Sequence, residues 1–119
     1  MIPPATRLQR DCVFLHLRYG YAVPRLPVFD AARDEAVALA GDRRDEPAAL
    51  FFAFARRPAD LGENWPLLPA LLAKNHAARL GLELRATPAE LHTLSMDLCL
   101  EGLAFEDVRG FFAARFVSK

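Results

Sequence analysis

Arg56, Arg57, Asp60, Gly62, Glu63 and Asn64 stand in one short stretch, and it holds the residue types in this chain best suited to chemistry. A guanidinium binds phosphate oxygens through charge-assisted hydrogen bonds, and the free amides at a helix N-terminus favour an anion. Two carboxylates beside them add a place for a divalent cation. The stretch therefore reads as a candidate phosphate or metal–phosphate site, with Arg57, Asp60, Gly62, Glu63 and Asn64 as its binding residues. A plainer reading competes with it. The arginines complement the C-terminal end of one helix, Asn64 caps the next, and the acids face water.

The other chemistry-bearing residues are scattered. His16 lies in an apolar run, His76 follows Asn75 late in a helical segment, and His92 falls in the first turn after a capping signal. None has a Ser, Cys or carboxylate at a spacing that predicts a proton relay. Lys74, Asn75 and His76 together read as the solvent face of a leucine-rich helix. Cys12 and Cys99 both sit among apolar residues and read as buried, reduced thiols. Without a CxxC or a histidine at ligand spacing they make no zinc site. The lack of a disulfide framework fits a reducing cytoplasm, which is the expected location. Trp65 and the phenylalanines near the C-terminus read as core; exposure of Phe111 and Phe116 would make them a partner surface instead.

The segments that must position these residues are helical. With 53% apolar and 25% charged residues among 119, the chain falls in the ordinary globular class and fills one domain. Its 15 basic residues equal its 15 acidic ones, which argues against a nucleic-acid binder. Arg7, Arg10 and Asp11 interrupt the N-terminus before any apolar run of signal-peptide length. No stretch approaches the roughly 18 apolar residues of a membrane span.

Nine prolines cut the chain into helix-sized pieces. Residues 6–18 fit a helical stripe through Leu8, Cys12, Leu15 and Tyr19. The alternation of Val13, Leu15 and Leu17 also fits a strand; helix is the favoured reading. Residues 20–27 are a loop. Asp30 reads as the N-cap of a helix to Leu39, with Gly41 as a stop and 41–45 a charged turn. A helix over 46–57 has Pro47 in its first turn and is apolar all round, so it belongs in the centre. Asn64 then caps a helix over 65–80, Gly81 ends it, and 82–85 is an extended link. Thr87-Pro88-Ala89-Glu90 is a capping box opening a helix to about residue 100. A last helix covers 105–116. The sum is an all-α bundle of about five or six helices.

From Ala48 to Phe116 the succession of features resembles a known family. A buried helix of small and aromatic residues ends in Ala55-Arg56, and a short polar loop follows. A leucine/alanine helix leads into Leu80-Gly81-Leu82-Glu83-Leu84. Then come Ala86-Thr87-Pro88-Ala89-Glu90-Leu91, Glu101-Gly102 and a final helix. This order is similar to the C-terminal two-thirds of death-on-curing (Doc) proteins of the Fic superfamily. The resemblance implies an all-α Doc-like core over 46–118, preceded by N-terminal helices and loops over 1–45. It also implies a nucleotide-dependent transferase of a toxin–antitoxin type system, using ATP and magnesium and meeting an antitoxin or target protein.

The family's loop motif, H-P-F-x-D-G-N-K-R, meets Arg57 to Trp65, and only Pro58 and Gly62 match. Arg57 stands where the catalytic histidine belongs and Leu61 where the metal-binding acid belongs. Arginine does not give up its proton, so the resemblance implies a degenerate phosphate-binding loop with altered or lost activity. The alternative is a non-enzymatic interaction module of antitoxin, immunity or adaptor type, in keeping with nine phenylalanines and no complete catalytic set.

Overall fold

In the computed structural model, which describes residues 1–119, the chain runs α1 (Ala5–Tyr19), α2 (Leu26–Leu39), α3 (Glu46–Ala55), α4 (Pro58–Leu61), α5 (Leu67–Arg79), β1 (Leu82–Leu84), α6 (Pro88–Glu101), α7 (Phe105–Ala113) and β2 (Phe116–Ser118). Single turns of 3-10 helix lie at Arg43–Asp45 and Gly62–Asn64.

α3 organises the packing. Every residue from Pro47 to Ala55 is buried, as an all-round apolar helix must be. Its helical repeat sorts these residues onto two faces. Ala49, Leu50, Ala53 and Phe54 pack with Leu8, Cys12 and Leu15 of α1, Phe29, Ala32 and Ala36 of α2, and Leu68 and Leu72 of α5. Ala48, Phe51, Phe52 and Ala55 pack with Leu91, Leu94 and Leu98 of α6 and Val108 and Phe112 of α7. The alanines let neighbouring helices approach closely while the phenylalanines fill the space between them. Each fully buried phenylalanine contributes about 1.5–3 kcal/mol of transfer free energy. α1 and α6 therefore lie on opposite sides of α3.

The helix ends follow local chemistry. Gly20 takes the left-handed conformation (φ 76°) that closes α1, which settles residues 5–19 as helix. The capping box is present: Glu90 N–H donates to Thr87 Oγ1 at 3.1 Å, and Thr87 N–H donates to Glu90 Oε1 at 3.0 Å.

Several boundaries differ from expectation. α2 begins at Leu26 with Pro27 in its first turn, one turn before Asp30, which is exposed. The earlier start carries Phe29 into the core. α3 ends at Ala55, before the two arginines. α5 begins at Leu67 rather than at Trp65. Pro69 is then its third residue, where the missing N–H has no partner to lose. The 58–64 loop contains a helical turn and a 3-10 turn.

The last helix stops at Ala113, and the chain returns as β2, antiparallel to β1 with Leu82 opposite Ser118 and Leu84 opposite Phe116. Arg85 N–H to Arg115 O at 2.9 Å and Lys119 N–H to Gly81 O at 3.1 Å extend the ladder. The molecule is thus broadly all-α as expected, with seven α-helices rather than five or six and one small two-stranded sheet added. No helix is long and apolar enough to cross a membrane.

Candidate functional site

The arginine pair follows directly from the end of α3. Arg56 donates to Glu35 Oε2 at 2.8 Å, and Arg57 donates to Glu35 Oε1 at 2.7 Å. Glu35 projects from α2, so one carboxylate clamps both guanidinium groups. Arg57 also donates to Ala53 O at 3.0 Å, satisfying a carbonyl in the last turn of α3. The position a phosphate would take on Arg57 is filled by a carboxylate of the chain itself.

Asn64 is 1% exposed and does not cap α5. Its Nδ2 donates to Ala22 O at 2.7 Å and to Leu61 O at 3.1 Å, and the Cys12 thiol donates to its Oδ1 at 3.5 Å. It therefore ties the α1–α2 loop and α1 to the turn at 62–64. Gly62 makes that turn with φ +57°. Asp60 and Glu63 are exposed, and neither side chain makes a hydrogen bond or ion pair within the chain. Of the five residues singled out by sequence, two are committed to internal partners, one shapes the backbone and two are free. No group of three or more His, Cys, Asp or Glu side chains stands close enough to hold a metal ion.

A cavity of about 430 Å³ opens beside this loop, lined by Phe52, Arg56, Pro58, Leu98, Cys99 and Leu103. Only Arg56 brings charge to it. The Cys99 thiol donates to Ala55 O at 3.2 Å, and Trp65 Nε1 donates to the same carbonyl at 2.6 Å. Cys99 is exposed, contrary to the buried thiol expected, whereas Cys12 is buried as expected. Burial pushes the Cys12 thiol up to about 11, and partial desolvation of the Cys99 sulfur where it lies against Ala55 O raises that thiol as well, although the residue is exposed. Neither is a thiolate poised for attack.

His76 departs most from its sequence reading. It is 1% exposed rather than on a solvent face, and its Nε2 meets Glu46 Oε1 at 2.8 Å. Its Nδ1 is buried without a hydrogen-bond partner. Burial holds its pKa below the ordinary histidine value, against the opposing pull of Glu46. The buried Pro69, Leu72, Ala73 and Ala77 around it carry His76 on the inner face of α5.

The surface feature that stands out is on α1. Leu8, Cys12 and Leu15 face the core, while Phe14 and Leu17 are 55% and 79% exposed beside exposed Val13. Between α1 and α5 lies a groove of about 360 Å³ lined by Arg10, Asp11, Phe14, Leu71 and Asn75. Asp11 is neutralised by Arg79 at 3.0 Å. Arg7 and Arg10 have no carboxylate partner. The signal was present in the sequence: the run Val13-Phe14-Leu15-His16-Leu17 has more apolar residues than one buried stripe needs, and this excess made helix and strand hard to separate. Phe111 and Phe116, in contrast, are half-buried against the core.

No protein-family model matches the chain, and no curated protein or solved structure matches it significantly.

Proposed function

We propose that this domain is a helical interaction module that binds a protein through the outer face of α1 and the adjoining groove with α5. The supporting observation is Leu17 at 79% exposed beside Phe14 at 55% on an otherwise well-packed helix. Neither residue contributes to the core, so folding does not explain them, and clustered exposed apolar side chains mark interaction surfaces. The groove supplies the concave seat and Arg10 a charged rim. The test is capture from extracts of the source cells on the immobilised parent chain and on a Phe14→Ser/Leu17→Ser variant of equal helicity. The parent retains a stoichiometric protein that the variant loses. Equal retention by both would remove the assignment.

A second reading is a Doc-like, nucleotide-dependent transferase acting at the 57–64 loop. Its support is the pair of free, exposed carboxylates of Asp60 and Glu63 next to half-exposed Arg56. It requires Arg57 to leave Glu35. Calorimetric titration with ATP and magnesium separates the two readings. The interaction-module reading expects no saturable, magnesium-dependent heat. Such heat, lost in Arg57→Ala or Asp60→Ala, would move the function to the loop.

A further inference from the structure

We propose that the α1 face of one chain seats on the α6 face of a second copy, giving head-to-tail self-association. The inference rests on α1 being a binding face and names its partner. After Met1, the two most exposed large apolar residues are Leu17 on α1 and Leu100 on α6, at 79% and 75%. Each has an exposed apolar neighbour one helical turn earlier, Val13 and Met96 respectively. The same i, i+4 ridge thus occurs twice, on opposite sides of α3.

The two ridges carry opposite charge. On the α1 side, Arg7, Arg10 and Arg18, with Arg79 of α5, stand against the single carboxylate Asp11, a net of three positive charges. On the α6 and α7 side, Glu90, Asp97, Glu101, Glu106 and Asp107 stand against Arg109 and the adjoining Arg115, a net of three negative charges. The chain as a whole sums to zero. Asp11 is paired with Arg79, Glu90 with Arg115 and Glu106 with Arg109. Arg7, Arg10 and Arg18 have no carboxylate partner, and Asp97 and Glu101 have no partner within the chain. Free cations therefore flank one apolar ridge and free carboxylates the other, the complementarity that steers and registers an association.

Shape agrees with charge. The α1 ridge borders the groove it forms with α5, and Asp97 lines a second groove of about 350 Å³ between α6 and α7, with Thr93, Leu94 and Phe111. Each helix can thus lie partly in the other's groove. An anionic bilayer would suit α1 but leaves the acidic α6 ridge without a role. Because the two faces differ, the contact is heterologous. It closes into a ring or runs on as a filament according to the rotation between copies.

Sedimentation velocity over a concentration series, at low and high salt, tests this with the full chain. The parent shifts to larger species with concentration, and salt weakens the shift. Leu17→Glu and Leu100→Lys each raise the apparent dissociation constant by roughly tenfold or more, as loss of a central anchor does. Each variant keeps one intact face, so an equimolar mixture forms a one-to-one dimer and goes no further. A parent that stays monomeric throughout the series overturns the proposal, as does a mixture that stays monomeric. Flotation of the parent with phosphatidylglycerol vesicles in place of self-association would assign the face to membrane. A monomeric parent that still captures a different protein through Phe14 and Leu17 would overturn the second-copy assignment and leave α1 as a binding face.

Discussion

His76 shows how one buried side chain links packing to pH. Glu46 accepts from Nε2–H, which leaves Nδ1 as a bare lone pair with no donor near it. Adding a proton there would place an unpaired N–H in the core between α3 and α5. The folded-state pKa therefore lies below the ordinary 6.5, chiefly through burial. As pH falls the unfolded chain takes up the proton first, so stability declines. The contribution of His76 is whole above about pH 6.5 and is lost on the way down to the folded-state value. Urea unfolding at a series of pH values should show this slope in the parent and a shallower one in His76→Gln. Equal slopes would assign the acid sensitivity to carboxylates elsewhere. The thiols give a second test at this scale. Cys99 is exposed, and Cys12 is buried with its pKa pushed up to about 11. Intact-mass spectrometry after alkylation of the native chain should find one modified thiol, Cys99, with Cys12 reacting only after unfolding. Modification of Cys12 at the rate of Cys99 would mean that α1 opens readily.

Among the elements, the irregular stretch between α3 and α5 is held by side chains rather than by a ladder. Asn64 joins Ala22, Leu61 and Cys12 at a buried point. Replacing it with alanine leaves Ala22 O without its donor and should destabilise the fold by about 1–3 kcal/mol, measured as a lower urea midpoint at unchanged slope. A midpoint within error of the parent would mean that solvent reaches the loop and replaces the bond. This stretch also shows where sequence reading reaches its limit. The capping box at Thr87 is local, with four consecutive residues carrying both bonds, so it was readable from the chain alone. Arg57 and Asn64 each have one local partner, but the partners that commit them, Glu35 and Ala22, arrive from distant positions. The same residue types that suit a phosphate also suit an internal clamp, and only the fold decides between them. β2 is hidden in the sequence for a related reason. Phe112 and Phe116 fit a helical repeat, and the strand partner, Leu82–Leu84, is distant in sequence.

At the scale of the whole molecule, the central helix and most helical segments were readable because apolar periodicity records burial. His76 was not, since a polar triplet in a leucine-rich helix looks like a water-facing break. The exposed face of α1 was visible only as an excess of apolar residues without an address. Its meaning comes from what the core leaves out: both clusters on α3 are complete without Phe14, Leu17 or Leu100. A zero net charge resolves into oppositely charged helices on either side of α3. The most direct test of α1 as the binding face is covalent labelling by photogenerated carbene, read by mass spectrometry. The dilute chain would be compared with the same chain in its assembled or captured state. Labelling of Phe14 and Leu17 should be strong in the dilute chain and suppressed on assembly, with Asp60 and Glu63 unchanged. Equal labelling of Phe14 and Leu17 in both states, with protection confined to the 57–64 loop, would contradict the account.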